Sequence, residues 1–366
     1  MDLVQVSRNQ LISEVYECKK MLYRLINLPK DVQSNISNSL LPYLSMLCDG
    51  IDNLFQTEDP VVLSSKFEDI NGKSFTTLIK KVRASSKLLT DKKNLRISIK
   101  MLDSETKKFH DDLIKDYNEE QLAFLKAFGQ NDLGVFYYKN KPYANSSQIN
   151  LYIKPFNSSV GEVGKDIFKF SMQVATYING FCSVLEGHTL PHLKQQDYIT
   201  NVDCEDLISL DYIYSEEKQR NIFNNVIDKE VSLYLLNMQC QLNFALNILD
   251  LLVDEHPLKY RIQLLIYYYS VQAIDFASSS GYLEELEECQ ETITAVIEAH
   301  KRIFNSSTFR NNLFHYKLST EIDPSLSKNY FEIMVETLTS VSLENLLATV
   351  YKEMDIAEKL IKEIIY

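Results

Sequence analysis

An arginine and a histidine five positions apart, Arg310 and His315, are the residues of this sequence best suited to chemistry. An unperturbed imidazole titrates near neutral pH, so His315 can take a proton from a ribose 2′-hydroxyl or give one to a leaving oxygen. The guanidinium of Arg310 stays charged and can bind phosphate oxygens as negative charge develops on them. Asn311 can orient one of these groups or donate to the phosphate. Together the three residues predict a site for phosphodiester cleavage.

The elements around this motif decide whether its side chains can meet. Apolar residues recur at three- and four-residue steps from Leu283 to Phe304, which is typical of an amphipathic helix. The segment 305–308, with sequence NSST, is a break rich in helix-capping residues. We therefore expect the motif at a helix junction. An arginine and a histidine at this spacing come close in a helix or at a tight helix end.

The rest of the chain predicts a mainly α-helical fold of several bundles. Gly (9) and Pro (8) are scarce among 366 residues, which favours long helices over many short strands. Helical spacing of apolar residues predicts helices at 7–26, 31–56, most of 74–128, 161–187, about 215–253 and 328–365. A small β-hairpin is expected near 134–156, because apolar residues alternate at Val135, Tyr137 and Tyr138 and again at Ile149, Leu151 and Ile153.

Three parts of the chain are expected on length and pattern. These are an N-terminal helical region at 1–130, a connecting region with the hairpin and a helix at 131–200, and a C-terminal helical bundle at 203–366. The net charge of −12 is uneven. Residues 1–130 hold 19 Lys and Arg against 18 Asp and Glu, whereas the remainder holds 19 against 32. This acidic bulk argues against a protein that coats nucleic acid non-specifically, but it leaves room for a small basic site.

Other kinds of function find little support in the sequence. The six cysteines are scattered, without a CxxC pair, and no glycine-rich phosphate loop is present, so we expect neither a metal nor another cofactor. The first residues lack the pattern of a signal peptide, and no run of 18 apolar residues occurs. These features predict a cytoplasmic protein without a membrane segment.

Two further groups of residues are candidate sites. His188 and His192 are four apart, but Gly187 and Pro191 indicate a loop, so a zinc site is not expected. The segment 80–100 is strongly basic, with Asp91 as its one acidic residue. It could follow an RNA backbone, but a solvated helix face, or a surface that docks on the acidic C-terminal half, is favoured.

The motif around Arg310 resembles that of the HEPN superfamily, in which an arginine and a polar residue precede a histidine by a fixed short spacing. This sequence has it as Arg310, Asn311 and His315. The resemblance implies metal-independent RNA cleavage by 2′-hydroxyl attack, leaving 2′,3′-cyclic phosphate ends. In it, Arg310 and His315 would be catalytic, Asn311 would support them, and Tyr316 and Lys317 would contact the RNA substrate.

The same resemblance implies a C-terminal bundle that forms a homodimer, so that the motifs of two protomers meet in one cleft. It also suggests a toxin or an effector of bacterial antiviral defence. It does not extend to residues 1–200, where we expect a sensor, a substrate-selecting part or a surface for a regulatory protein partner. One alternative is a non-catalytic interaction protein, in which Arg310 pairs with an acidic neighbour and His315 is a core histidine. Another is a toxin that a partner or a covalent modification controls.

Overall fold

Helices make up most of the chain, which confirms the mainly α fold class. The structure, a computed structural model, describes residues 2–55, 66–88, 95–158, 161–200, 204–316, 322 and 329–366. In the first half the helices are α1 (Leu3–Ile26), α2 (Lys30–Leu54), α3 (Phe75–Leu88), α4 (Leu95–Ile114), α5 (Glu119–Phe128), α6 (Ser146–Ile153) and α7 (Val163–Leu185).

The second half also consists mainly of helices. They are α8 (Lys229–Asn243), α9 (Leu249–Leu252), α10 (Pro257–Ser279), α11 (Gln290–Ile303), α12 (Ser307–Phe314), α13 (Tyr330–Thr339) and α14 (Leu343–Ile365). A π-helical turn at Phe244–Ile248 joins α8 to α9. Tyr267, Tyr268 and Tyr269 on α10 are buried in the core.

A small antiparallel sheet interrupts the helices. Its strands β1 (Leu133–Tyr138), β2 (Lys141–Asn145) and β3 (Leu207–Tyr212) lie in the order β2-β1-β3. Lys139 and Asn140 both have positive φ angles, 49° and 60°, as a tight two-residue hairpin turn requires. The first strand of the hairpin lies where the sequence predicts it, whereas β3 comes from the segment assigned to the C-terminal bundle.

The second half of the predicted hairpin is wrong. Ile149, Leu151 and Ile153 lie on α6 instead of a strand. The side chain of Asn145 accepts a hydrogen bond from the backbone N–H of Gln148 at 2.9 Å and so caps the helix. Most of this short helix is buried, including the polar residues Ser147 and Gln148, so its apolar residues do not mark one face with the helical period that would distinguish it from a strand.

The predicted long helix over 215–253 is also wrong at its start, because regular helix begins only at Lys229. The carboxylate of Asp132 accepts the backbone N–H groups of Tyr214 at 2.7 Å and Ser215 at 3.0 Å. The backbone N–H groups of Tyr214 and Ser215 are therefore satisfied by a side chain and not by helical hydrogen bonds. A distant carboxylate thus decides the local structure here.

A buried ion pair joins the first helix to the last third of the chain. Arg261 on α10 is 1% exposed, and Glu14 on α1 is fully buried. Nε and Nη2 of Arg261 each donate to the Glu14 carboxylate at 2.9 Å. Nη1 donates to the carbonyls of Asn312 at 2.9 Å and Leu313 at 2.8 Å, at the C-terminal end of α12. Arg261 therefore caps α12, since the last carbonyls of a helix lack partners within it.

Contacts of this kind cross the expected boundaries at 130 and 203, and one hydrophobic cluster includes residues of all three expected parts. The three-part division itself stays a prediction. Within the described residues, no single helix has the length and apolar character needed to cross a membrane. The consecutive helices α13 and α14 have enough length and apolar character only when they are taken together, and a bend of 74° separates them.

We expect Arg261→Met to destabilise the protein by about 3–5 kcal/mol, because it leaves Glu14 charged and unpaired in the interior. Urea unfolding followed by circular dichroism measures the change. The double variant Glu14→Leu/Arg261→Met should lose less than Arg261→Met alone, since no buried charge remains. Lys359→Met is the control, because it removes a surface pair with Asp355. An equal loss in the single and double variants would contradict this account.

Candidate active site

The predicted motif lies on α12 and at its C-terminal end. Ser306 begins this short helix, where its hydroxyl accepts the N–H of Thr308 at 3.1 Å. The helix ends at Phe314 because His315 has extended backbone angles, φ −126° and ψ 137°. The N–H of His315 still donates to the carbonyl of Asn311 at 3.0 Å. The expected helix junction with capping residues is therefore present.

Arg310 is an exposed side chain with two neutral neighbours. Its Nη2 donates to the side-chain oxygen of Asn311 at 3.0 Å, and its Nη1 donates to the hydroxyl of Tyr268 at 3.4 Å. Neither partner carries a charge, so these two contacts leave the positive charge of the guanidinium uncompensated. Asn311 thus orients Arg310, one of the roles that the sequence suggested for it.

His315 is exposed, and its Nδ1 lies 3.1 Å from Nη2 of Arg83 on α3. Arg83 also forms an ion pair with the buried carboxylate of Asp49 on α2 and donates to the carbonyl of Phe314 at 3.4 Å. Burial lowers the pKa of Arg83 from its ordinary value. The structure therefore brings His315 together with Arg83, and Arg310 together with Asn311.

Arg83 is the functional candidate that the sequence did not single out. It belongs to the basic segment 80–100, whose other basic side chains that the structure describes are exposed: Lys80, Lys81, Arg96 and Lys100. Among these described basic side chains, Arg83 alone turns inward, toward Asp49 and the end of α12. A basic residue within a helical segment was the available signal, but nothing in the local spacing connects positions 83 and 315.

A cleft of about 270 Å³ opens beside His315 and Arg83. Asp49 and Asn53 line it from α2, and Phe314 and Tyr316 line it from the end of α12. Oδ1 of Asp49 is buried and accepts no hydrogen bond from the part of the chain that the structure describes. The cleft thus combines a cation, an imidazole and a carboxylate oxygen, in a volume suited to a phosphate or one small fragment.

Tyr316 is buried, and its hydroxyl donates to Glu14 at 2.6 Å. The guanidinium of Arg261 lies 4.5 Å from the centre of its ring. Gly50 on α2 permits this packing, because a Cβ there would lie 2.7 Å from a ring carbon of Tyr316. Tyr316 therefore lines the cleft, while its hydroxyl points into the interior and donates to Glu14. Lys317, the other residue expected to contact substrate, lies outside the described residues.

The histidine pair considered in the sequence lies far from α12 along the chain. His188 and His192 are exposed in the loop after α7, and Nδ1 of His192 lies 3.7 Å from Glu186. Across the described ranges, no group of three or more His, Cys, Asp and Glu side chains is arranged to hold a metal ion.

Comparison of the chain with protein-family models, with curated proteins and with solved structures gives no match.

We expect Tyr316→Phe to reduce the free energy of unfolding by about 1.5–3 kcal/mol, because it removes a buried hydrogen bond to a charged carboxylate. Urea unfolding measures this loss. The control is Tyr117→Phe, which removes a hydrogen bond of 2.9 Å to the neutral amide of Gln130 near the surface. That variant should cost less. Equal costs for the two variants would show that the Tyr316 hydroxyl has no special role in supporting α12.

Proposed function

We propose that this protein is a metal-independent RNA endonuclease of the HEPN type, with its site on the exposed side of α12. The observation that carries the proposal is the exposure of Arg310 and Asn311 on α12 and of His315 directly after its end, which a buried arginine fixes. A catalytic group must be held by a rigid support if it is to meet its substrate in a productive geometry. The Glu14–Arg261 pair supplies that support.

The chemistry follows from the two side chains. The 2′-oxygen of the ribose attacks the adjacent phosphorus while His315 takes the hydroxyl proton, and the imidazolium then gives a proton to the departing 5′-oxygen. One P–O bond forms and one breaks, so the products are a 2′,3′-cyclic phosphate and a 5′-hydroxyl. Arg310 donates to the phosphate oxygens, where negative charge develops. Asn311 keeps the guanidinium of Arg310 in place through the 3.0 Å hydrogen bond.

A second candidate function is a non-catalytic interaction protein that keeps the motif for structure. The observation that favours it is the contact between His315 and Arg83, which links α12 to α3 within one chain. In that case His315 would serve as a hydrogen-bond acceptor that ties the two halves of the molecule together. The two candidates differ in what His315→Gln does: a catalytic role predicts lost cleavage, and a tethering role predicts lost stability.

The purified protein is expected to cleave single-stranded RNA in the presence of EDTA and to leave 2′,3′-cyclic phosphate ends. His315→Gln should lower kcat about 10²–10⁴-fold, as for the loss of a general acid–base catalyst. Arg310→Ala should lower kcat about 10²–10³-fold through lost stabilisation of the developing charge. Gel analysis of labelled RNA, with end-group mapping, measures both effects.

Matched controls for these variants are His188→Gln and Arg302→Ala, which change exposed residues outside the α12 site. Both controls should cleave like the unchanged protein. The site assignment fails if His315→Gln and Arg310→Ala retain full cleavage. A loss of cleavage on chelation would refute the metal-independent mechanism. If no RNA is cleaved and overexpression leaves bacterial growth normal, the interaction protein becomes the better proposal.

We further propose that the C-terminal helices form a homodimer in which two copies of α12 face one cleft. Within the described residues the hydrogen bonds of Arg310 go to neutral groups, which fits a site that is completed by substrate and a second protomer. Light scattering at micromolar concentration should give twice the mass of the 42.4 kDa chain. A monomer, both free and with RNA bound, would contradict the shared cleft.

A further inference from the structure

The contact between Arg83 and His315 restricts where the proton of the imidazole can lie. A guanidinium carries only N–H donors and no acceptor, so Nδ1 of His315 must accept the hydrogen bond of 3.1 Å. The neutral ring therefore carries its proton on Nε2. In this arrangement the one nitrogen lone pair that could take a proton already faces Arg83.

We propose that Arg83 is a positioning residue that caps His315 and releases it when it binds an RNA phosphate. With Nδ1 occupied and Nε2 protonated, His315 can donate a hydrogen bond but cannot take the proton of a 2′-hydroxyl. Removing Arg83 from Nδ1 makes the lone pair available. This step rests on the proposed ribonuclease function, whereas the tautomer that Arg83 imposes can be measured without it.

A phosphate is the ligand best able to move Arg83. Guanidinium groups bind phosphate oxygens through charge-assisted hydrogen bonds, which are about twice as strong as neutral ones. The imidazole nitrogen is a neutral acceptor, so a phosphate that enters the cleft competes successfully for Nη2. The cleft has room for this exchange, because Arg83 and His315 both line its volume of about 270 Å³.

Asp49 keeps Arg83 at the site while the exchange takes place. Its carboxylate is 3% exposed and forms the ion pair with Nη1, the other terminal nitrogen of Arg83. The guanidinium can therefore turn Nη2 from imidazole to phosphate while Nη1 stays bound to Asp49. In the proposed reaction the 2′-hydroxyl proton then moves to Nδ1, and the resulting imidazolium supplies the proton for the leaving 5′-oxygen. No other reactant is needed.

Nitrogen NMR of the full-length protein with ¹⁵N-labelled histidine tests the tautomer directly. The signal of His315 is identified by its absence in His315→Gln, and spectra are taken at about pH 8.5, well above the ordinary histidine pKa of about 6.5. The test variant is Arg83→Met/Asp49→Asn, in which no buried charge loses its partner. Its reference is Asp49→Asn, which retains Arg83 and keeps a side-chain oxygen at position 49 that can still accept from Nη1.

We expect His315 to carry its proton on Nε2 in the unchanged protein and in Asp49→Asn. In Arg83→Met/Asp49→Asn the population of the Nδ1-protonated tautomer should rise, because the N–H of Arg83 that donates to Nδ1 is gone. Inorganic phosphate or a short oligothymidylate, which has no 2′-hydroxyl to react, should shift the Nδ1 signal in Asp49→Asn but not in the double variant. A proton on Nδ1 in the unchanged protein would overturn the proposal, as would identical tautomers in the two variants.

Cleavage kinetics supply the second measurement. Relative to Asp49→Asn, the double variant should raise KM about tenfold through lost phosphate binding, and should lower kcat/KM on the order of 10–100-fold. Equal kinetics in the two variants would refute the release step. If the NMR result holds while no RNA is cleaved, the ribonuclease proposal fails and the role of Arg83 in fixing His315 stands.

Discussion

The arrangement of this protein depends on the buried ion pair between Glu14 and Arg261. A charged pair in the interior is stable only when its geometry is good and its remaining hydrogen-bonding positions are filled. Both conditions hold, because Gln10 and Tyr316 donate to the carboxylate, and the carbonyls at the end of α12 accept from the guanidinium. The pair therefore fixes three elements at once: α1, α10 and the end of α12.

Because the ion pair fixes the end of α12, residues from the first half of the chain line the candidate site. The end of α12 lies against α2 through Gly50 and against α3 through Arg83. The cleft beside His315 is lined by residues from both halves of the sequence. A change in the position of α2 or α3 would therefore alter the surroundings of His315 without touching the motif. The sensor or partner-binding role expected for the N-terminal region stays a prediction.

The sequence predicted the fold well where local forces dominate. Long amphipathic helices such as α1, α7 and α14 follow from apolar spacing and from the scarcity of glycine and proline, because each helix has one face that must be buried. The prediction failed where distant residues decide the backbone. Asp132 holds residues 214 and 215 outside a helix, and α6 is buried too completely to show a helical period. The pairing of β3 with β1 also joins segments far apart in the chain, which no local pattern reports.

Some features of the candidate site follow from the sequence, and others follow only from the tertiary structure. The sequence by itself determined the motif at Arg310, Asn311 and His315, the capping residue Ser306 that starts α12, and the residue types that make phosphodiester chemistry reasonable. Only the tertiary structure decided that Arg83 binds His315, that Asp49 holds Arg83, and that Tyr316 turns its hydroxyl toward Glu14. The physical reason is that spacing along a helix relates residues within a few turns. Contacts between residues hundreds of positions apart depend instead on how whole helices pack. Here that packing includes the buried ion pair between Glu14 and Arg261.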